Sequence, residues 1–286
     1  MEFTAPAKVN LYLNILYKRD DGYHEIETLF ERISLVDTLH VELSKTKTVI
    51  TCNDCRIPTD KDSIMGRAVT LFNEVTVRPF NFKIKLDKKI PVSAGMGGGS
   101  SDAATLLMAM NDLTGKKLST GTLCDIGRKL GADVPFFIMN ASFAIGRGRG
   151  DILETIESHI KMWHVVVTPP VGVSTKEVYA KVTPQCLTKK GDTDRMFTSF
   201  LKEGKIRGIA ENLRNDLQDI TLREFPIIGE VFSEISNLGA GGVLLSGSGP
   251  TVFGVFDEEG AKKAAKELAA KFSSKKGWAV FVAHTL

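Results

Sequence analysis

The chain has 286 residues with a formal net charge of +3; 43% of its residues are apolar and 25% are charged. These values are typical of a globular protein with one large domain or two ordinary ones. Because the net charge is small and no stripe of Lys and Arg is interleaved with aromatics, the composition argues against nucleic-acid binding. No apolar run reaches the ~18 residues that a membrane helix needs, so we expect neither a nucleic acid nor a membrane as a partner.

Residues 1–20 lack the layout of a signal or transit peptide, which predicts a cytoplasmic protein. Its four cysteines, at positions 52, 55, 124 and 186, would then be free thiols. Cys52 and Cys55 have the C-x-x-C spacing of zinc and redox sites. No second ligand pair accompanies them, however, and the turn-forming run Arg56-Ile-Pro58 follows instead of a helix. We therefore expect no metal or redox role there.

Residues 3–17 alternate between apolar and other side chains, a pattern that predicts a strand. One face carries Val9, Leu11, Leu13 and Ile15, and the other carries Lys8, Asn10, Tyr12 and Asn14. The polar face meets either solvent or a ligand, and the pattern alone does not decide between them. A turn at residues 20–22 leads to Tyr23 and His24, and further strands are predicted up to residue 35, over 38–43 and over 47–52.

Asp60 or Asp62 is predicted to cap a helix that carries apolar residues from Ile64 to Val75. A strand is predicted over 80–86 because its side chains alternate. Two helices follow the glycine-rich run described next, one over about 101–114, which Gly115 ends, and one over 119–130.

The run Pro91-Val-Ser-Ala-Gly-Met-Gly-Gly-Gly-Ser-Ser101 places four glycines in five positions directly before a helix. Glycine backbone N–H groups and the N-terminal end of a helix together form a site for an anion, typically a phosphate chain. Ser100 stands where a Walker A loop has its lysine and a Rossmann loop its third glycine, so neither pattern applies. A flexible surface loop is the alternative, which the long apolar helix disfavours. The predicted binding positions are Pro91, Val92, Ser93, Ala94, Gly95, Met96, Gly97, Gly98, Gly99, Ser100 and Ser101.

Asp133 lies between a helix stop at Gly131 and the apolar aromatic pair that begins at Phe136. It is either a functional carboxylate at the edge of the core or a cap for a short helix with Pro135 in its first turn. Both interpretations stay open on the local sequence.

A strand over 141–146 precedes Arg147 and Arg149, which place two guanidinium groups on a glycine-containing turn. Arginine forks suit phosphate oxygens. A solvent-facing hairpin tip fits the same pattern equally well, so their role stays open.

The second half of the chain predicts a different succession of elements. A strand over 163–168 leads to a short helix that carries Tyr179 and opens with a capping box at Ser174 and Glu177. Helices are predicted over about 192–202, 205–219 and 225–238, then two strands around a glycine turn at 247–249, a helix over about 258–272 and a strand over 278–283. This order is that of a ferredoxin-like α+β layer. We place the domain boundary near residue 155, which gives domains of residues 1–155 and 156–286.

Five pieces of the sequence resemble the GHMP kinase superfamily, named for galactokinase, homoserine kinase, mevalonate kinase and phosphomevalonate kinase. They are Pro6-Ala-Lys8-Val-Asn10-Leu11, Asp21-Gly-Tyr23-His24, the run 91–101, Gly131-Ala-Asp133-Val-Pro135 and Gly247-Ser248-Gly249, in this order over nearly the whole chain. The resemblance implies a two-domain α/β (α+β) fold. Its parts would be an N-terminal ribosomal-protein-S5-like α/β domain that binds ATP, a C-terminal ferredoxin-like α+β domain, and an active site in the cleft between them.

The resemblance also implies a kinase that uses ATP and Mg²⁺ to phosphorylate a hydroxyl group of a small molecule. The pairing of the first two pieces is typical of members that act on a cytidine-diphosphate derivative of methylerythritol, in non-mevalonate isoprenoid precursor synthesis. Two alternatives remain: another small-molecule kinase of the homoserine or mevalonate type, and a catalytically silent nucleotide-binding protein on the same fold. Monomer and homodimer are both open.

Residue by residue, the resemblance makes Asp133 the catalytic aspartate and Lys8 its partner lysine. In phosphoryl transfer, Lys8 would neutralise developing charge and Asp133 would take the proton of the attacking hydroxyl; a purely structural pair is the alternative. The positions that match substrate contacts of the family are Asn10, Tyr23, His24, Thr175 and Tyr179. The metal ligands stay unassigned, because no glutamate matches the metal-binding glutamate of some relatives.

Overall fold

The computed structural model of the chain describes residues 1–189, 191–272 and 276–286. It contains two compact units, each built from several chain segments. The first unit consists of Met1–Ala7, Val36–Val92 and Gly97–Ala141, and the second of Lys8–Leu35, Ser93–Met96 and Ser142–Leu286. Six alternating segments mean five passages of the chain from one unit to the other, and none of them lies near residue 155. The single boundary drawn there from the sequence stays a prediction.

Two long strands each contribute to both units, because the chain changes unit within them. These are β1 (Glu2–Lys18) and β2 (His24–Ser44). The other elements of the first unit are β3 (Val49–Cys52), α1 (Ile64–Thr76), β4 (Asn81–Asp87), α2 (Gly98–Thr114), α3 (Thr120–Leu130) and α4 (Val134–Met139).

In the first unit, β4 pairs antiparallel with the second half of β2 and parallel with β3. Its alternate residues Phe82, Ile84 and Leu86 are buried, as the alternation predicts. Helix α2 packs against α1, α3 and α4. Because apolar and small side chains cover most of its circumference, α2 is the central helix of this unit and fixes the position of the glycine-rich run before it.

Three local predictions in the first unit were wrong. β2 is one strand where two were predicted, because Asp37 does not end it: its buried carboxylate accepts backbone hydrogen bonds from Lys89 and Ile90. Helix α1 is capped by Ser63, whose Oγ accepts from the N–H of Gly66 over 3.1 Å, and not by either predicted aspartate. Helix α2 starts at Gly98, three residues earlier than predicted, because glycines can occupy a first helical turn whose N–H groups point to a ligand.

The second unit contains the remaining elements in chain order. They are β5 (Phe143–Gly148), β6 (Ile152–Ile156), β7 (Trp163–Thr168), α5 (Thr175–Ala180), a 3₁₀ turn (Pro184–Cys186), α6 (Thr193–Glu203), α7 (Ile206–Glu211), β8 (Arg214–Asn215), α8 (Gln218–Glu224), α9 (Pro226–Asn237), β9 (Gly242–Leu245), β10 (Val252–Phe256), α10 (Glu258–Phe272) and β11 (Ala279–His284).

The second unit has a four-stranded antiparallel sheet in the order β11-β7-β10-β9. One side of its core is formed by α9 and α10, which bury Ile235 and Leu268 among other apolar residues. The succession of strand, helices, two strands, helix and strand confirms the predicted ferredoxin-like layer. In the same unit, β5 pairs antiparallel with the first half of β2 and with β6.

The predicted helix over 205–219 was wrong. Helix α7 ends at Glu211, and Arg214 and Asn215 instead pair in parallel with Tyr12 and Leu13 of β1. The side chain of Asn215 holds this short strand, because its Nδ2 donates to two backbone carbonyls and its Oδ1 accepts from a backbone N–H. Tertiary hydrogen bonds thus override the local helical pattern.

Candidate active site

The polar face of β1 is buried, so the interpretation as a solvent face was wrong. Lys8 Nζ donates to Asn10 Oδ1 over 2.7 Å, and Asn10 Nδ2 donates to Thr28 Oγ1 over 2.7 Å. The Lys8 ammonium lies 5.4 Å from the centroid of the Phe30 ring. A buried ammonium is unfavourable unless it is hydrogen-bonded. Asn10 accepts such a bond from Lys8 and is itself held by Thr28, so Asn10 orients the Lys8 side chain. Contact of Asn10 with a substrate stays a prediction.

The glycine loop takes a conformation that needs its glycines. Ser93, Gly95 and Gly97 have φ of 55°, 75° and 68°, in the left-handed region. A Cβ on Gly95 would lie 2.2 Å from the carbonyl oxygen of Ser246, so only glycine fits there. Gly97 is the N-cap of α2, which places the next N–H groups at a helix N-terminus, where they have no partner within the helix.

The start of α2 offers both space and a polar group to a ligand. Apart from its own helix turn, no atom of the described residues would lie within 4 Å of a Cβ on Gly99. Ser101 Oγ is buried, and no atom of the described residues hydrogen-bonds to it. An open approach to backbone N–H groups and an unsatisfied hydroxyl are what the phosphate oxygens of a nucleotide require.

Asp133 is the N-cap residue of α4, but its carboxylate makes no hydrogen bond that caps this helix. The capping interpretation therefore lacks its main physical support. Two residues earlier, a Cβ on Gly131 would lie 3.6 Å from Ser100 Oγ. The turn between α3 and α4 thus brings the segment of Asp133 against the serine end of the glycine loop.

The aromatic residues predicted to bind a substrate lie in the second unit, and two of them are in contact. The rings of His24 and Tyr179 have centroids 5.3 Å apart. Tyr23 is 56% exposed, and the Arg149 guanidinium lies 5.2 Å from its ring centroid. Burial lowers the pKa of His24, with a further contribution from the charge of Lys18. A neutral imidazole offers one donor and one acceptor, as recognition of a base edge requires.

The second glycine turn connects a predicted substrate contact with the glycine loop. Thr175 Oγ1 and Ser248 Oγ are 2.8 Å apart, at hydrogen-bond distance. Ser246 Oγ donates to the carbonyl oxygen of Gly95 over 3.0 Å. The turn therefore supports the segment 93–96 from one side and orients Thr175 from the other.

Arg147, near the end of β5, and Arg149, just after the strand, are both engaged by carboxylates. Arg147 lies 2.8 Å from Glu154 and 2.9 Å from Asp194, which favours a structural role over phosphate binding. Arg149 lies 3.1 Å from Asp151, and it also covers the ring of Tyr23. Of the two, only Arg149 is in contact with a predicted substrate residue.

Sequence reasoning missed several residues that shape these sites. Asp37 and Lys88 meet Asp102 in a buried cluster below the glycine loop, and Thr28 fixes Asn10. No periodicity or spacing links these residues, so only the fold reveals them. Among the described residues, no three His, Cys, Asp or Glu side chains form a group suited to a metal ion. In the same part of the chain, every helix is too short or too polar to cross a lipid bilayer.

Two family models match the chain. The model of the GHMP kinases N-terminal domain matches residues 63–141, which include the glycine loop and Asp133, and the model of the GHMP kinases C-terminal domain matches residues 197–274. The class of protein that the fold and the site define is therefore a GHMP kinase, and the predicted superfamily and fold class are confirmed.

Curated relatives specify the branch. A protein of Syntrophotalea carbinolica called 4-diphosphocytidyl-2-C-methyl-D-erythritol kinase is 42% identical, over 98% of this chain and 96% of its own. A protein of Alkaliphilus metalliredigens with the same name is 39% identical, over 93% and 91%. The chain belongs to the 4-diphosphocytidyl-2-C-methyl-D-erythritol kinase family within the GHMP kinases.

Solved structures agree with this assignment. A crystal structure of 4-(cytidine 5'-diphospho)-2C-methyl-D-erythritol kinase has a TM-score of 0.84 at 35% identity and covers 99% of this chain and 98% of its own. The homoserine kinase of Cytophaga hutchinsonii has a TM-score of 0.73 at 18% identity, covering 99% and 93%, and shares the fold alone.

Proposed function

We propose that the chain transfers the γ-phosphoryl group of ATP to the 2-hydroxyl group of 4-diphosphocytidyl-2-C-methyl-D-erythritol. The reaction would take place in the cytoplasm, as a step of non-mevalonate isoprenoid precursor synthesis. The observation that carries this proposal is the contact of the His24 ring with the Tyr179 ring, where His24 directly follows the exposed Tyr23 in the sequence. Aromatic side chains next to a neutral imidazole suit a cytosine base, which can stack on them and form hydrogen bonds, whereas homoserine and mevalonate contain no ring to recognise.

The glycine loop, residues 91–101, would bind the phosphate chain of ATP through its backbone N–H groups and the N-terminus of α2. Mg²⁺ would accompany ATP and neutralise part of its charge. Since the described residues form no acidic metal site, the ion would be held mainly by phosphate oxygens and water, as Mg²⁺ commonly is.

Asp133 would accept the proton of the attacking hydroxyl group, a contribution of roughly 10²–10⁴ in rate. Lys8 would stabilise the charge on the transferred group, because its ammonium is held in one position by Asn10. Phosphoryl transfer needs mainly positioning and charge neutralisation; Lys8 would supply the neutralisation, and Asp133 would add general-base catalysis.

A coupled assay of ADP release with Mg-ATP tests the substrate. It compares 4-diphosphocytidyl-2-C-methyl-D-erythritol with homoserine, mevalonate and phosphomevalonate. We expect turnover of the cytidine compound alone. Turnover of homoserine or mevalonate instead would replace the proposal by another kinase of the fold, and ATP binding without any turnover would support a catalytically silent protein.

The variant Asp133→Asn tests the mechanism. We expect kcat to fall by about 10²–10⁴ while the Kd of ATP stays within roughly twofold. Asp125→Asn is the matched control, because Asp125 is an exposed aspartate of the same unit whose ion pair is with Arg128 on its own helix. Unchanged kcat in Asp133→Asn would remove this residue from the mechanism.

A further inference from the structure

A buried cluster of charged residues joins the two ends of the glycine loop. Lys88 Nζ lies 2.5 Å from Asp37 Oδ2 and 2.8 Å from Asp102 Oδ2, and all three side chains are at most 4% exposed. Lys88 precedes the loop, and Asp102 follows it in α2. All three residues belong to the first unit. The cluster therefore fixes the distance between the segment that enters the loop and the helix that leaves it.

Further contacts tie the cluster to the backbone of the loop. Asp37 Oδ1 accepts from the N–H of Lys89 over 2.5 Å and from the N–H of Ile90 over 2.9 Å. A Cβ on Gly98 would lie 3.0 Å from Lys88 Nζ, so the ammonium lies directly beneath the first residue of α2. A change in the charge or geometry of the cluster would therefore change the position and electrostatic potential of the backbone that would bind the phosphates.

The charges of the cluster do not balance unless one carboxylate is protonated. Two carboxylates and one ammonium sum to a net charge of −1, which is unfavourable in a buried site. Asp102 Oδ1 is buried, and within the described parts of the chain it has no hydrogen-bond partner. Burial raises the pKa of Asp102 to about 7, the charge of Asp37 adds to this effect, and Lys88 opposes it.

The neighbouring groups Lys88, Cys52 and Asp54 each keep one charge state near neutral pH. Burial works against the ammonium of Lys88, but the two carboxylates outweigh it and raise its pKa, so it keeps its own proton. At the end of β3, burial raises the pKa of the Cys52 thiol, which stays neutral. Hydrogen bonds from Arg56 lower the pKa of Asp54 to about 2, so Asp54 is ionised, and its charge is balanced by the Arg56 guanidinium 2.5 Å away. Asp102 is the group of this set that takes up a proton near neutral pH.

We propose that Asp37, Lys88 and Asp102 form a clamp that positions the phosphate loop for ATP, and that ATP binds to the form with a proton on Asp102. The inference rests on the proposed function, in which this loop binds the ATP phosphates. ATP brings several negative charges to the loop, so it disfavours an unneutralised carboxylate beneath it. One unit charge at roughly 10 Å with an effective dielectric constant near 20 corresponds to a change in affinity of about tenfold. The proton comes from the buffer, and the carboxylate becomes a carboxylic acid.

Calorimetry of Mg-ATP binding to the full chain tests the clamp. Titrations at pH 8 in buffers of different ionisation enthalpy give the number of protons taken up per ATP. We compare the wild type with Asp102→Asn, which keeps an oxygen acceptor for Lys88 but leaves the cluster neutral without a titrating proton. Asp125→Asn is the control for the loss of a carboxylate elsewhere in the same unit.

On binding ATP at pH 8, the wild type and Asp125→Asn should each take up about half a proton more than Asp102→Asn. As pH rises from 6.5 to 8.5, their affinity for ATP should fall about five- to tenfold more than the affinity of Asp102→Asn. If Asp102 had a purely structural role, replacing it with Asn would not change the number of protons taken up per ATP. Equal uptake by the wild type and Asp102→Asn, with ATP bound by both, overturns the inference alone. If none of the three folded proteins binds ATP, both this inference and the proposed function are overturned.

Thermal unfolding without ATP gives a second measurement. Because the pKa of Asp102 is higher in the folded state, its contribution to the stability of the wild type falls as pH rises from about 4 to about 7 and is constant above that. The Tm of Asp102→Asn relative to the wild type should therefore rise across this window, and a constant difference contradicts the assignment. If Asp102→Asn does not fold, the absence of proton uptake by the wild type at pH 8 decides against the clamp.

Discussion

Replacing Gly99 with alanine separates the stability of the protein from its affinity for ATP at one position. Gly99 is the second residue of α2, and a methyl group there would have no atom within 4 Å beyond its own helix turn. Alanine in a helix is more stable than glycine by about 0.5–1 kcal/mol, which corresponds to a rise in Tm of roughly 1–4 °C in a protein of this size. If the phosphates of ATP lie over Gly99, the same methyl group displaces them, and we expect the Kd of ATP to weaken about tenfold, or ~1.4 kcal/mol.

Thermal unfolding without ligand and calorimetry with Mg-ATP measure the two effects separately. Gly229→Ala in α9 is the matched control, because a Cβ on Gly229 also has no atom within 4 Å and this glycine lies far along the chain from the glycine loop. It should raise the Tm by a similar amount without changing the affinity for ATP. A wild-type affinity in Gly99→Ala would refute the position of the phosphates over this residue. A lower Tm in Gly99→Ala would refute the claim that a methyl group at residue 99 fits without a clash.

The remaining predictions concern Gly95, another glycine of the loop, and His24, whose ring contacts Tyr179. Gly95→Ala should destabilise the protein by about 2 kcal/mol or more in urea unfolding, because its φ is 75° and the new Cβ would lie 2.2 Å from the Ser246 carbonyl oxygen; a loss below about 0.5 kcal/mol would contradict this local geometry. The KM of the cytidine substrate should rise as pH falls through the lowered pKa of His24, since the protonated ring loses its acceptor, while the KM of ATP follows a different profile. A KM of the cytidine substrate that does not change down to pH 5, about the lower limit of ordinary His titration, would remove His24 from recognition of the base.

Elements with strong local signals were predicted to within a few residues. The strand predicted over 80–86 is Asn81–Asp87, and the helix predicted over 119–130 is Thr120–Leu130. Alternation defines the strand, and Ser119 and Gly131 bound the helix, so these signals lie within the elements or next to them. The helix predicted over 205–219 was wrong for the opposite reason: Asn215 is held by carbonyls more than 29 residues away in sequence, and no local pattern indicates such bonds.

In the predicted site, too, features with a local sequence signal were found and contacts between residues far apart in sequence were missed. The spacing of glycines and serines identifies the glycine loop, because the conformations it needs exclude most other residues. The Asp37–Lys88–Asp102 cluster has no such signature: Lys88 is 51 residues from Asp37 and 14 from Asp102. In the sequence Asp87-Lys-Lys89 it looks like one of two solvent-exposed lysines, and only the fold shows that one of them is buried.

The interleaved segments of the two units set an order of events during synthesis. β1 leaves the ribosome before residues 142–286 do, yet most of it, from Lys8 onward, belongs to the unit that also contains Ser142–Leu286. Nascent chains generally fold from the N-terminus, unit by unit, but here the strand that carries Lys8 completes its unit only after residues 142–286 have been made. A gene truncated after residue 141 would leave β1 without β8 and β2 without β5, the strands with which they pair in the finished unit. Neither unit can therefore be inherited, fused or exchanged as one continuous piece of the gene.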